Sequence, residues 1–263
     1  MPMRENNNWR ALRDAIGRGD VPGYTPWLAR GYNPDVTATS ETIWPIGGPY
    51  NYPAAGGIQM EVVTASANDR VGSPNPGARS VEIWYLDQNY AVQIETVSLT
   101  GATVPTVATN IFRILLFRVL TNSAFNVFAA GTITLRGFGG GASYALIEAG
   151  GSCSCSAAYT VPAGQILVVC GLSAGAGNTA GSSIVDLMLY ANYCCATGVL
   201  GDVFYPYLRQ DITSNGGPIN LNVAVPLVFP ERTELRADAI ANSSAGTTPV
   251  SVTLVGYTAT KGM

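Results

Sequence analysis

The chain has 263 residues, with 47% hydrophobic and 12% charged side chains, no histidine and a formal net charge of −3. Without imidazole there is no Ser–His or Cys–His nucleophile, and the commonest nitrogen ligand for a metal is missing. The slightly negative charge gives no basic field for a phosphate backbone, which excludes nucleic acid as the expected partner.

No run of about 20 apolar residues could span a bilayer, and the N-terminus lacks the apolar core of a signal peptide. The expectation is a protein made in a cytoplasm, with no membrane partner. A charge fraction about half the usual globular share, together with 30 glycines, fits two surfaces. One is covered by partner subunits; the other is rich in Ser, Thr and Asn.

Residues 1–56 differ from the rest. They hold seven of the 16 prolines, three of the four tryptophans (Trp9, Trp27, Trp44) and Tyr24, Tyr32, Tyr50 and Tyr52. Asn8 can cap a helix in which Trp9, Leu12 and Ile16 share one face, and Gly17 can end it. Such a short helix must dock to persist. The segment reads as an anchoring arm, with Trp9, Leu12, Ile16, Trp27 and Trp44 as candidate interface residues. It either folds back on its own domain or grips a neighbour, and the second is preferred because prolines and aromatics reduce the ordering entropy of an exposed path. Removing residues 1–40 is expected to leave the β-domain folded.

From Gly57 the chain alternates short β-type segments with turn signals, which predicts one domain over 57–263. The segments are 58–65, 79–86, 92–99, 111–120, 131–136, 144–148, 157–161, 165–172, 183–193, 221–229, 233–239 and 250–257. Residues 111–120 (IFRILLFRVL) suit a buried helix or a strand by composition; their length and the Asn122-Ser123 turn favour a strand. Tyr159-Thr160-Val161-Pro162-Ala163-Gly164-Gln165 predicts a tight reversal between two strands. Pro230-Glu231-Arg232-Thr233-Glu234 predicts a second one, opening a strand with its charges outward. The expected fold is all-β: a jelly-roll-like β-sandwich with an extended N-terminal arm carrying one short helix.

Chemistry-bearing patterns are sparse. The acidic residues Asp69, Asp87, Glu95, Asp186, Asp202, Asp211, Glu231, Glu234 and Asp238 fall in turns and strand edges, and nothing in their spacing brings two to glycosidase distance. Gly137-Phe138-Gly139-Gly140-Gly141 lacks the Lys-Ser/Thr of a phosphate loop and reads as a turn or bulge. Asn68-Asp69 and Asp87-Gln88-Asn89 read as Asx turns rather than calcium ligands. Cys153, Cys155, Cys170, Cys194 and Cys195 form neither a disulfide framework nor a zinc site. Free, mostly buried thiols are expected, with a cross-link between Cys153 or Cys155 and the Cys194/Cys195 pair left open. No catalytic, cofactor or metal residue is assigned, and the chain is not expected to be an enzyme.

Several short motifs occur in a characteristic order. They are Trp44-Pro45-Ile46-Gly47-Gly48-Pro49-Tyr50, Ser66-Ala67-Asn68-Asp69, Gly77-Ala78-Arg79, Leu86-Asp87, and Glu95 to Gly101. Gly131–Thr134, the YTVPAG turn and the Pro-Glu-Arg-Thr-Glu strand follow. Over residues 44–257 this order resembles tailed-phage virion proteins, especially those of aquatic phages. The resemblance implies a non-enzymatic particle component in several symmetric copies, located in the virion. A homotrimer attached to capsid, neck or tail proteins through its arm is the expected form, as a head-decoration or a tail-fibre component. The competing expectation is a receptor- or carbohydrate-binding module. There Tyr190, Tyr193, Tyr205 and Tyr207 would face a host-surface glycan.

Overall fold

The computed structural model describes residues 5–124, 127–177, 184–193, 203–213, 217–242 and 248–262, with the side chains of 5–10 and 222–224 left out of the description. One helix, α1 (Glu5–Arg18), precedes the strands. The first half carries β1 (Tyr24–Val36), β2 (Glu41–Thr42), β3 (Met60–Thr64), β4 (Ala78–Leu86), β5 (Val92–Ser98) and β6 (Thr103–Pro105). Then come β7 (Arg113–Asn122), β8 (Ile133–Gly137), β9 (Ser143–Ile147), β10 (Ala158–Thr160) and β11 (Gln165–Ala176). The chain closes with β12 (Ile184–Asn192), β13 (Tyr205–Thr213), β14 (Ile219–Phe229), β15 (Glu234–Ala241) and β16 (Thr248–Thr260).

Over the described residues the protein is therefore nearly all-β with one short helix, as its sequence implies. Residues 111–120 fall largely in strand β7. The single jelly-roll sandwich expected over 57–263 is not what forms. The strands make four sheets in a propeller-like arrangement, and these pack in two pairs, each around its own core.

The first pair is contiguous in sequence. Sheet β5-β4-β7 faces sheet β6-β3-β8-β9. Met60, Val62, Val81, Ile83, Phe117, Ile133, Leu135 and Ile147 fill the space between them. Strict alternation in β4 places Val81, Ile83 and Tyr85 inward and Glu82 and Trp84 outward, so the hydrophobic pattern alone sets the register. We call this the inner unit.

The outer unit is assembled from both ends of the chain. Its first sheet has the order β1-β16-β11-β14; its second has β10-β15-β12-β13, with β2 on β15. Leu172, Val185, Leu187, Leu189, Ala237, Ala239, Val252 and Leu254 lie between them. Residues 24–36, expected to belong to an outward-reaching arm, are instead the edge strand of this unit, paired with β16 from Tyr24↔Ala259 onward. The physical reason is that a 13-residue extended run must satisfy its backbone N–H and C=O groups, and an adjacent sheet edge does so at once.

The helix is longer than its sequence suggests and ends at Gly19, not Gly17. Gly19 sits at φ 77°, its N–H donating to Ile16 O while Asp20 N–H donates to Ala15 O. That pair of bonds is a Schellman cap, which needs the left-handed conformation at the residue after the helix. The inner face of the helix, Leu12 and Ile16, lies on Val168, Cys170 and Tyr257 of the first outer sheet.

The two turns expected to close hairpins are instead corners. Pro162–Gly164 leads from β10 in one outer sheet to β11 in the other, and Pro230–Thr233 leads from β14 to β15. The corners are tied together. Gly164 N–H and the Lys261 ammonium both bond the Glu231 carboxylate, and Arg232 N–H donates to Val161 O. Nor does β15 turn its charges to solvent: Glu234 and Asp238 are 3% exposed, because residues 41–53 and Arg113 cover that face.

Candidate functional site

The units meet along a seam made by residues 152–158. Val119 N–H donates to Ser152 O and Ser154 N–H to Phe117 O, which lays this segment along β7 of the inner unit. From the next residue on, Tyr32 N–H donates to Cys155 O and Ala157 N–H to Ile43 O, which fixes the same segment to the outer unit. The fit is close. A Cβ at Gly31 would lie 2.5 Å from both Ala157 Cβ and Ile43 O, so β1 can approach the seam only with glycine there.

A buried ion pair crosses the same boundary. Arg113 Nε on β7 donates to Glu234 Oε1 on β15 at 2.5 Å, with both side chains at most 5% exposed. The guanidinium also donates to Pro53 O and Phe112 O and lies over the rings of Phe112 and Tyr52. Burial raises the phenol of Tyr52, and also that of Tyr50, above the ordinary tyrosine range. The Tyr52 hydroxyl is buried without a hydrogen-bond partner.

Beside the seam the units leave a cleft of about 640 Å³. Trp27 and Leu28 of β1 form one wall, Trp84, Val92 and Leu116 of the inner unit the other. Even-numbered residues of β1 turn their backbone polar groups away from β16. This follows from Tyr32 N–H pointing to Cys155, while Gly23 O accepts from Thr260 N–H on the β16 side. The edge at Leu28 and Arg30 therefore faces the cleft, and Pro26 occupies a position where a missing N–H breaks no ladder bond.

Cys153 also lines this cleft, with Cys155 beside it, and both thiols are free and half-buried. Cys155 Sγ donates to Cys153 O at 4.0 Å, and the interaction of the two side chains draws the Cys153 thiol below its ordinary range and pushes Cys155 above it. Cys170 is buried under α1, and burial raises its thiol. Cys194 and Cys195 lie outside the described residues, and with them the cross-link the sequence left open.

The other candidate residues are spread over the molecule. Ile16 is buried on the inner face of α1, Trp27 packs edge-on to Tyr159 at 5.0 Å, and Trp44 is 1% exposed against Tyr50. Leu12 is half-buried beside Ile16, and the side chain of Trp9 lies outside the description. Of the four tyrosines, Tyr193 stands against Tyr207 and Phe229, and Tyr190 bonds Met188 Sδ beneath the Arg236 guanidinium. Tyr205 and Tyr207 are the exposed ones, at 54% and 40%. They sit on β13, an edge strand of the outer unit. Through the contact of Tyr207 with Phe229 that edge adjoins β14, where Val225 and Val228 are exposed.

The acidic residues act as braces. Asp69 accepts from Ala78, Ala130 and Gly131 N–H groups, and Glu95 from those of Val107 and Ala108. Asp87 closes an Asx turn through Asn89 and Ala91. Glu61 accepts from Gly139 and Gly140, so the glycine cluster does bind an anion, but the anion is the chain's own carboxylate. Asp186 pairs with Arg209, and Asp238 with Arg236 and the Thr42 hydroxyl. Asp202 lies outside the described residues. Among the described residues no three His, Cys, Asp or Glu side chains group as a metal site, and no helix is long and apolar enough to cross a membrane.

No family model and no curated protein matches the chain. Among solved structures, infectious bursal disease virus of the Gt strain aligns at 9% identity and a TM-score of 0.19, covering 95% of this chain and 78% of that one. The Gx strain aligns at 8% and 0.21 over the same shares, and the VP2 subviral particle at 9% and 0.16 over 95% and 82%. The similarity to these viral capsid structures is weak, and scores of this size transfer neither fold nor function.

Proposed function

We propose that this chain is a non-enzymatic structural component of a tailed-phage virion, a homo-oligomer that attaches to the particle as a capsid-decoration or neck and tail-fibre protein. The observation that carries the reading is where its motif residues go. Trp44 Nε1–H donates to Gly48 O across the turn formed by Gly47 and Gly48, both at positive φ. Asp69 clamps three backbone N–H groups, and Arg79 holds the loop before it through Asn68 O, Ser73 O and Asn75 O. Glu231 locks the two corners of the outer unit. The residues that carry the resemblance to virion proteins are thus spent on rigid turns, and rigidity is what a particle component requires.

Self-association draws on a different feature. The β13 and β14 edges expose Tyr205, Tyr207, Val225 and Val228 and touch through Tyr207 and Phe229, and β14 carries no charged residue to blunt pairing. A symmetric oligomer, taken here as a trimer, covers such an edge. The glycan-binding alternative keeps only Tyr205 and Tyr207 as exposed rings.

Quantitative mass spectrometry of purified particles tests the proposal. Copies in the hundreds place the protein on the head, and about a dozen or fewer on the tail, as the symmetries of those parts require. Absence from particles overturns it.

A further inference from the structure

We propose that the open edge of β1 is the docking site for one extended peptide segment of a partner protein. The peptide adds as an antiparallel strand along Leu28 and Arg30 and sets a carboxylate against the Arg30 guanidinium. This goes beyond the structural role proposed above and does not depend on it.

Every residue from Thr25 to Arg30 lines the cleft. Successive strand residues point their side chains to opposite faces, so only a space beside the edge meets all of them. The backbone there is set for a strand. Trp27 and Ala29 turn their N–H and C=O groups to β16. Those of Leu28 and Arg30 are left directed into the cleft, with no protein partner among the described residues. Donors and acceptors repeating at every second residue along one line match the backbone of another strand. The seam already uses this line once. Tyr32 N–H, on the same edge, donates to Cys155 O, so a guest strand continues a pairing that the chain itself begins. At the other end Pro26 has no N–H to offer, and the row of donors stops. Residues 26–30 span about 13 Å of strand, which a guest of about five residues matches.

The side chains select the guest. Leu28 is 50% exposed, and Trp27, Trp84 and Leu116 line the same cleft, so apolar guest side chains are favoured. On the inner-unit wall the charges cancel: Glu82 accepts from the Trp84 indole at 2.6 Å and pairs with Arg118 at 2.7 Å. Arg30 is exposed and joins no ion pair among the described residues. Residues directly opposite across an antiparallel pair share a face, as do residues two apart on one strand. A guest with an acidic residue opposite Arg30 therefore sets its second residue onward opposite Leu28, where an apolar side chain fits. The order that docks is acidic, apolar, apolar.

The test uses the full chain and the blocked peptide acetyl-Thr-Glu-Val-Leu-Val-Thr-amide, with amide hydrogen exchange of the chain read residue by residue by NMR. The peptide should slow exchange at Leu28 and Arg30 by about an order of magnitude and leave Trp27 and Ala29, already bonded to β16, unchanged. N-methylation of the peptide's Glu and Leu, whose N–H groups face β1, should abolish the effect; N-methylation of its two Val residues should not. Arg30→Glu, a change at an exposed side chain, should weaken this peptide several-fold and favour the same peptide with Lys in place of Glu. The proposal is overturned if exchange at Leu28 and Arg30 is unaffected, or if the differently methylated peptides act alike. It is equally overturned if Arg30→Glu leaves the preference for Glu over Lys unchanged. Protection of those amides in the chain alone, rising with its concentration, would also sink it, because a second copy then fills the edge.

Discussion

The two units of this chain solve the same packing problem by opposite routes. The inner unit runs from β3 to β9 without interruption, so each strand finds its sheet within one stretch of sequence. The outer unit closes only when β1 meets β16, which pairs Tyr24 with Ala259 across nearly the whole chain. Closing so long a loop is entropically unfavourable before any contact repays it. The outer unit therefore depends on a few long-range ties, whereas the inner one depends on local alternation. The seam at 152–158 and the Arg113–Glu234 pair transmit order from one to the other.

Truncation breaks the comparison most severely. Deleting residues 1–40 strips α1 and β1, leaving the apolar strand β16 with an open edge and Trp27 missing from its place beside Tyr159. This reverses the expectation drawn from the sequence, in which the β-domain stays folded without residues 1–40 and only its anchoring is lost. Hydrogen exchange should show protection retained over 58–147 and lost over 165–176 and 248–260. Equal protection of β16 in the truncated and full-length chains would refute the dependence.

Next in size is the buried ion pair. Replacing Glu234 by Ala leaves the Arg113 guanidinium buried without its counter-charge, a change of about 3–5 kcal/mol. Urea unfolding at neutral pH should show the loss. The double replacement Arg113→Met/Glu234→Leu should recover much of it, since an apolar pair of similar volume removes both desolvation penalties. If the single and double variants are equally destabilised, the pair is not what couples the units.

The same contrast explains what was legible in the sequence. All the strands of the inner unit except β6 show as alternating or apolar runs bounded by turn residues. In the outer unit β1, β2 and β13 escaped notice. Strand β1 contains Pro26, Gly31 and Pro34, each of which signals loop, yet each has a place. Pro26 sits on the open edge, Gly31 is demanded by Ala157, and Pro34 falls in the break of register between Asn33 and Val36 against β16. These are reasons imposed by neighbours more than 100 residues away, which no local window contains. Glu234 failed similarly: its alternation was read correctly, but the face it points to is covered by residues 41–53 and Arg113. The candidate site fared worst. Cys153 and Cys155 drew attention as thiols, but nothing local shows that their segment joins two units beside a cleft.

The smallest effect is a pH response within the outer unit. Burial alone would raise the Glu41 carboxyl, but bonds from the Thr37 hydroxyl, Gly48 N–H, the Asn33 amide and Thr37 N–H outweigh it and hold the group below its ordinary value of 4.5. A carboxyl depressed by folding adds stability that is fully present above the unfolded value and is lost as pH falls through the folded one. Each unit of depression is worth about 1.4 kcal/mol. On the neighbouring strand Asp238 works the other way. Burial raises its carboxyl against the opposing pull of Arg236 and Thr42, so protonating it on acidification favours the folded state. Acidification below about pH 4.5 should therefore weaken the turn at residues 37–48 while Asp238 partly offsets the loss. Glu41→Gln should lower stability at neutral pH and flatten its fall between neutral and acid pH, measured by urea unfolding with exchange read at residues 37–48. An unchanged slope would mean that the Glu41 hydrogen bonds do not govern the acid response of the outer unit.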